Sequence, residues 1–298
     1  MKVPGLIPLS KFDPCALCGS NTGRVLSHII PKFVFRHTNV RTPSGYLRSN
    51  FEPNRRLQDG YKEYLLCPDC EQVFSIYESS FSVIFKNHNE TLGQNVVYTP
   101  IDALFALSVL WRALAHARLH QEITHPEFGK DYSRTDAAFE CWRQVLLGQT
   151  KNPGKFRIMW IFLDYFQKGH SLGKNVNRYL FHASDTDVYA NSTESFAYAH
   201  IPGIIFIGAL EGVDRREFRD FDIAFSGGRY YANENKKAPA ILFEIIQEKN
   251  DVTLKASERI SVKQMKKIGD IALANPEITV GSLLFRTHIH DAGLNRKE

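Results

Sequence analysis

The chain of 298 residues has a formal net charge of +5, with 43% hydrophobic and 23% charged residues, which is typical of a soluble globular protein. This length is long for one compact core and allows two domains. A membrane-spanning helix needs roughly 18 apolar residues in a row, and no stretch approaches that. The N-terminal segment has two prolines and no long apolar core, so we expect no signal peptide and interpret the protein as cytoplasmic, with no membrane partner.

The distribution of charge along the chain is more informative than its net value. Between residues 32 and 56 the basic side chains are accompanied by a single acid, Glu52. The basic residues of this segment are Lys32, Arg36, Arg41, Arg48, Arg55 and Arg56. A loop with this excess could contact the phosphates of a nucleic acid, and it could equally be a solvated loop.

The N-terminal part of the chain, residues 1–98, contains two Cys-x-x-Cys pairs. Residues 24–31 are typical of a strand stopped by Pro31, and a long polar segment follows over residues 38–60. After the second cysteine pair, apolar residues at helical spacing predict an amphipathic helix over residues 71–85. This organisation indicates one module built around the cysteines.

Two helices are predicted next, over residues 102–122 and 134–147, the first with a wide apolar face. They would form a helical hairpin within residues 99–152. The aromatic and basic neighbours Trp111 and Arg112 suggest core packing beside a salt bridge.

The third region, residues 153–298, consists of short apolar runs separated by polar tracts. These runs predict strands over residues 156–166, 178–182, 196–198, 203–210, 221–225 and 240–247 and a helix over residues 261–274. We expect an α+β region with an antiparallel sheet that binds a partner or a ligand. The segment with His288 and His290, close to the C-terminus, is expected to be disordered.

The strongest chemical signal is the set of four paired cysteines, Cys15, Cys18, Cys67 and Cys70. Disulfides are disfavoured in a cytoplasmic chain, so paired Cys-x-x-Cys motifs indicate metal ligands. Four thiolates complete the tetrahedral shell of a zinc ion and leave no position for water or substrate. We therefore predict a structural Zn²⁺ site; the alternative is a redox-active pair or unrelated cysteines.

The order of motifs resembles the zinc-bearing branch of the HNH endonucleases over residues 12–90. The chain has Cys-x-x-Cys-Gly, a strand that ends in His-Ile-Ile-Pro, and Leu-Leu-Cys-x-x-Cys leading into a helix. The resemblance implies a ββα-metal, treble-clef-like module in which zinc is structural and a separate Mg²⁺ or Mn²⁺ is catalytic.

The resemblance also implies roles for single residues. His28 occupies the position of the histidine that acts as general base, which requires a group able to take a proton near neutral pH. The alternative is that His28 caps or packs beside the zinc site. Where the family has a metal-ligating residue before this histidine, this chain has Ser27, a poor ligand.

The other two signature positions also depart from the family. After the second cysteine pair stands Glu71, a good oxygen ligand for Mg²⁺, which could instead only complement the helix dipole. Glu78, two turns further on, is a weaker candidate. The middle asparagine has two substitutes, Asn54 and Asp59, between which the sequence does not decide.

The first function predicted is therefore a metal-dependent HNH-like endonuclease that cleaves nucleic acid, with DNA favoured over RNA. The helical and C-terminal regions would position substrate or bind a protein partner, which could be a second copy of the chain. The resemblance further implies a place in a bacterial defence or mobile-element system. The alternative is a catalytically degenerate, zinc-stabilised subunit that binds nucleic acid or protein.

Overall fold

The computed structural model describes residues 10–40, 42, 44–119, 135–166, 172–190, 193–232 and 238–295. Arg41 of the basic segment lies outside the described residues. The fold is a mixture of helices and antiparallel sheets, which confirms the α+β class. Among the described helices, none has both the length and the apolar character needed to cross a bilayer.

The N-terminal module is a β-hairpin with a long excursion between its strands. It contains β1 (Val25–His28), α1 (Lys32–Val40), β2 (Lys62–Leu66) and α2 (Pro68–Glu90). The two strands pair antiparallel, and His28 stands opposite Lys62. The helix α2 starts with a proline in its first turn, where the missing N–H has no cost. The strand predicted after the first cysteine pair and the helix predicted after the second are both present, as β1 and α2.

The basic segment is helical at its start, which corrects its interpretation as a loop. Lys32 and Arg36 lie on α1. This helix forms because Val34, which is fully buried, and the partly buried Phe33 anchor it against the core. The ring of Phe33 lies 5.4 Å from that of Phe85 on α2. Tertiary packing thus overrides the polar character of the segment.

A short strand and two helices follow: β3 (Val96–Tyr98), α3 (Pro100–Leu119) and α4 (Asp136–Leu146). The helix α3 is buried over most of its surface and packs along α2, where the rings of Phe81 and Phe105 stack at 4.2 Å. The salt bridge expected beside Trp111 is confirmed, because Arg112 pairs with Glu78.

The C-terminal region contains the largest sheet, with strand order β4-β7-β6-β5 and antiparallel pairing throughout. Its elements are β4 (Ile158–Phe162), α5 (Val176–His182), β5 (Asp185–Ala190), β6 (Ser195–Ile201) and β7 (Ile204–Glu211). Helices cover both faces. Phe206 of β7 contacts Phe81 and Phe105 on one face, and His200 of β6 contacts Tyr179 of α5 on the other.

The remaining elements are α6 (Arg215–Phe218), β8 (Gly228–Tyr230), α7 (Ala240–Glu258), α8 (Val262–Ala274), α9 (Pro276–Gly281) and α10 (Leu283–Asn295). The strand β8 pairs with β3 and so connects the third region to the end of the N-terminal module. The helix predicted over residues 261–274 is present as α8.

Several predictions for this region were wrong. The strands predicted over residues 178–182 and 240–247 are helices, α5 and α7, because a short apolar run fits a buried helix as well as a strand. Residues 221–225 form no strand beyond a single bridge at Asp222. The segment with His288 and His290 is the helix α10 rather than disordered.

The helix α10 is ordered because it docks on α5. The carboxylate of Asp291 accepts hydrogen bonds from the backbone N–H groups of Asn177 and Arg178, each at 3.0 Å, at the first turn of α5. The ring of His290 stacks on that of Tyr165 at 4.0 Å. A carboxylate at a helix N-terminus satisfies unpaired donors and complements the dipole.

Candidate metal centre and the His28 site

The four paired cysteines converge into one cluster at the end of the β-hairpin. Their sulfur atoms all lie within 4.8 Å of one another, and Cys18 Sγ is 3.7 Å from Cys67 Sγ. Sulfur ligands of a tetrahedral zinc site, with Zn–S bonds of about 2.3 Å, lie about 3.8 Å apart. All four cysteines are free of disulfides. The cluster can therefore hold a zinc ion.

The backbone around the cluster is shaped for metal ligation. Gly19 adopts a φ of +78° and donates its N–H to the carbonyl of Cys15, which closes the first knuckle. The N–H of Cys67 points at Cys15 Sγ at 3.2 Å. The guanidinium of Arg143 on α4 donates to the carbonyl of Leu17 at 3.0 Å and holds the first knuckle against α4.

The charge state of the thiols supports a cation at this place. Burial opposes ionisation of Cys15, but backbone N–H groups outweigh it and lower the pKa of that thiol to about 7. Burial and the surrounding sulfur atoms raise the pKa of Cys70. Four thiols this close cannot all be thiolates unless a divalent cation balances them. The donor set therefore fits zinc chemically as well as geometrically.

His28 lies at the end of β1 and is paired with a carboxylate. Its Nε2 is 2.8 Å from Asp59 Oδ1, and Asp59 Oδ2 also accepts from Lys62 Nζ at 2.7 Å. The side chain of His28 is 14% exposed. The Nδ1 atom makes no hydrogen bond to any described residue, and it is not among their fully enclosed polar atoms. His28 therefore points to Asp59 and not to a cysteine sulfur.

The electrostatics of the pair keep His28 neutral near pH 7. Burial lowers the pKa of His28 and outweighs the carboxylate of Asp59, which raises it. Burial alone would raise the pKa of Asp59, but hydrogen bonds from Lys62 and His28 hold it below its usual range. A neutral imidazole that donates Nε2–H to an ionised carboxylate leaves the Nδ1 lone pair available to accept a proton.

A buried guanidinium fixes the strand end that carries His28. Arg112 of α3 is fully buried and donates Nη1 to the carbonyl of His28 and to Glu78 Oε1, both at 2.9 Å. Its Nε donates to the carbonyl of Ser108. Arg112 therefore connects β1, α2 and α3 at one point, and Glu78 is occupied by this cation.

The other candidate residues do not converge on His28. Ser27 is fully buried, and its hydroxyl donates to the carbonyl of Val25. Glu71 lies in the first turn of α2, and its enclosed Oε2 has no partner among the described residues. Asn54 is bonded to the backbone of Arg259 and Ser261. Of the two substitutes for the middle asparagine, the structure thus brings Asp59 to His28 and Asn54 to another surface.

The described residues do not assemble a second metal site beside His28. The cysteine cluster is the one group of three or more His, Cys, Asp or Glu ligands that they bring together. His28 and Asp59 form a pair without a third ligand. They do not fit a catalytic Mg²⁺ or Mn²⁺ held by protein side chains alone, so we assign no residue set to that ion.

The basic segment is divided between a helix and a loop. Lys32 and Arg36 lie on α1, while Arg48, Arg55 and Arg56 lie on the loop between α1 and β2. The guanidinium of Arg56 lies 5.0 Å from the ring centroid of Tyr46. Among the described residues of this loop, the only ion pair of an arginine is that of Arg55 with Glu52, at 3.2 Å.

Sequence reasoning missed the part that Arg112 has in this site. The pattern around Trp111 indicated core packing beside a salt bridge, but the two groups that Arg112 binds, Glu78 and the carbonyl of His28, lie 34 and 84 residues away. No local spacing connects residues so far apart. The signal that was available is an arginine in the middle of the apolar run of α3, because a fold buries such a side chain only with partners.

Comparisons with protein-family models, with curated proteins and with solved structures find no match for this chain.

Proposed function

We propose that this chain is an HNH-like endonuclease that hydrolyses phosphodiester bonds in nucleic acid, with DNA as the favoured substrate. The observation that carries the proposal is His28, held by Asp59 at the end of a hairpin that the cysteine cluster joins to α2. The zinc ion of the cluster would be structural, because four thiolates leave no position for a reactant.

The proposed chemistry starts from the orientation of His28. Asp59 accepts Nε2–H and leaves Nδ1 to take a proton from the water that attacks the phosphorus atom. The imidazolium that forms is stabilised by the same carboxylate. Arg112 keeps the backbone of this strand end in place, which maintains the position of the ring. As the bond from the water oxygen to phosphorus forms, the bond from phosphorus to the leaving oxygen breaks, and the leaving oxygen takes a proton from solvent.

The test is nicking of supercoiled plasmid with Mg²⁺ or Mn²⁺, comparing wild type with His28→Ala. General-base catalysis contributes roughly 10²- to 10⁴-fold, and we expect a loss of that order. His288→Ala, which changes an exposed histidine on α10, is the matched control and should cleave like wild type. Zinc content and circular dichroism should be the same for all three proteins.

The pH dependence of cleavage provides a second readout. Because burial lowers the pKa of His28, the rate should rise with pH, and its midpoint should lie below the ordinary histidine value of about 6.5. Equal nicking by wild type and His28→Ala would remove His28 from the mechanism. Absence of nicking by folded, zinc-loaded wild type would overturn the proposal itself.

The alternative is a binding subunit that kept the zinc site and lost its catalysis. The buried Ser27 and the pairing of Glu78 with Arg112 favour it, because neither residue is available to a catalytic metal. This alternative predicts that the protein binds the plasmid without nicking it, with or without Mg²⁺.

A further inference from the structure

The loop between α1 and β2 is docked on the junction between α7 and α8. Asn54 Nδ2 donates to the carbonyl of Arg259 at 2.9 Å, and Asn54 Oδ1 accepts from the N–H of Ser261 at 2.7 Å. Arg48 Nη2 donates to Gln264 Oε1 at 3.1 Å. The loop of the N-terminal module and the first turn of α8 therefore form one continuous surface, although about 200 residues separate them in sequence.

This surface is strongly basic, and we call it the basic platform. Residues 44–58 carry three basic residues and one acid, and residues 257–268 carry four basic residues and one acid. The basic side chains of the platform are Arg48, Arg55, Arg56, Arg259, Lys263, Lys266 and Lys267. The acid of the loop, Glu52, is already paired with Arg55.

The lysines of α8 point in one direction and are exposed. Lys263, Lys266 and Lys267 have the i, i+3, i+4 spacing that places side chains on one helix face. None of them forms an ion pair within the described part of the chain. Like charges at this spacing destabilise a helix slightly, so an anion that binds across them would relieve repulsion.

The loop side of the platform is also short of negative charge. Arg48 donates to two neutral oxygens, the carbonyl of Pro53 and the amide of Gln264. Burial, together with the charge of Arg56, lowers the pKa of Arg48. Beside these arginines stands Phe51, which is 80% exposed and lines an open depression with Arg259. Cationic side chains around an exposed aromatic ring suit phosphates and bases.

We propose that the basic platform binds the phosphodiester backbone of nucleic acid, so that α8 of the C-terminal region takes part in holding the substrate. The inference deepens the proposed function and rests on it, because that function supplies the nucleic acid. It extends the interface from the segment with Arg48 and Arg56 to three lysines far away in sequence. Asn54 is assigned to the joint that holds the two parts together.

The experiment measures binding without cleavage. Fluorescein-labelled duplex DNA of about 30 base pairs is titrated with protein at several NaCl concentrations and without Mg²⁺ or Mn²⁺, since phosphate contacts are read from the salt dependence. The test protein is Lys263→Gln/Lys266→Gln/Lys267→Gln, which keeps helix-forming side chains. The matched control removes the same charge from exposed lysines elsewhere, as Lys86→Gln/Lys151→Gln/Lys155→Gln.

We expect the α8 variant to bind roughly 10- to 100-fold more weakly at low salt, and its slope of log K against log salt to fall by about 2 to 3. The control should bind like wild type. Equal affinities of the α8 variant and the control, or no binding by wild type, would overturn the platform. Platform-dependent binding without any nicking by wild type would leave the platform standing and overturn the endonuclease proposal.

Discussion

The module that carries the cysteines and the four-stranded sheet are stabilised by different means. The module has a hairpin of four-residue and five-residue strands, and Leu26 of β1 is 52% exposed. An isolated two-stranded hairpin is marginally stable in water. Its two cysteine pairs lie at the start of the module and at the start of α2, so a metal ion there would join both ends.

The sheet depends on apolar burial instead. All seven residues of β6 are buried, and helices cover both of its faces. Burial of apolar surface contributes about 25 cal/mol per Å², so side chains such as Phe206, which is fully buried, stabilise it without any ligand. We therefore expect the protein to combine a region that depends on a bound ion with a region that depends only on packing.

The largest expected effect is removal of the metal. Cys67→Ser removes one sulfur from the cluster, while the N-cap position of α2, where Cys67 makes no side-chain cap bond, receives a favourable residue. Binding of structural zinc contributes about 10–16 kcal/mol in small zinc modules. We expect the variant to lose zinc and to lose hydrogen-exchange protection in β1, β2 and the start of α2. Protection of β6 and β7 should remain. The measurements are metal analysis and hydrogen exchange followed by mass spectrometry.

The control for metal loss is the fifth cysteine. Cys141 on α4 is half-buried and lies outside the cluster, where its Sγ donates to the carbonyl of Pro153. Cys141→Ser should therefore keep one zinc ion and full protection. If Cys67→Ser retained zinc and a protected hairpin, the module would not depend on the ion, and the comparison between the two regions would be wrong.

The second effect is a clash inside the sheet. A Cβ added at Gly208 of β7 would lie 2.4 Å from Trp142 Cη2, and Trp142 cannot easily move because its Nε1 donates to the carbonyl of Phe156 at 2.8 Å. Overpacking of this kind costs about 1–3 kcal/mol. We expect Gly208→Ala to lower the free energy of unfolding, measured in urea, by that amount and to leave zinc content unchanged.

A glycine with space around it is the matched control. Gly269 lies on α8, and an added Cβ would meet nothing within 4 Å. Since alanine is the better helix former by about 1 kcal/mol, Gly269→Ala should be neutral or stabilising. A variant Gly208→Ala that is as stable as wild type would show that the sheet can adjust, contrary to the close packing inferred here.

The spacing of apolar residues was sufficient to predict the elements that are buried regularly along their length. The strand over residues 203–210 and the helix α3 were predicted because continuous or helical apolar patterns mark them. The pattern failed for α5, because the short run over residues 178–182 fits a helix as well as the strand that was predicted. Sequence reasoning also failed for α10, which was expected to be disordered. Asp291 on this helix binds the backbone of Asn177 at the start of α5, and 114 positions separate the two residues.

The candidate site divides in the same way. The cysteine cluster could be predicted because Cys-x-x-Cys spacing is itself the geometry of a knuckle, and its convergence is now seen in the structure. The choice between Asn54 and Asp59 could not be made, because it depends on how the loop between α1 and β2 folds back. Docking of Asn54 on the α7–α8 junction is a long-range event that no local pattern contains.

The third expected effect is a pH dependence that belongs to the sheet. His200 of β6 is fully buried, and its Nε2 donates to the carbonyl of Leu180 at 3.0 Å. Burial lowers the pKa of His200 to about 4. Since the unfolded chain takes up this proton near pH 6.5 and the folded chain does not, stability is lost as pH falls. For His200 the loss between pH 7 and pH 5 is about 2 kcal/mol.

Asp185, which stands opposite His200 in the pairing of β5 with β6, acts in the other direction. Burial raises its pKa to about 6, so the folded chain takes up a proton there and offsets part of the loss. The test therefore compares variants at each pH: His200→Gln, which can keep the bond to Leu180, against wild type and the exposed control His288→Gln. Urea unfolding should show that His200→Gln loses about 2 kcal/mol less than wild type between pH 7 and pH 5, while the control follows wild type. Equal losses in all three proteins would mean that His200 is not buried as a neutral imidazole, and the dry packing of the sheet would no longer distinguish it from the module.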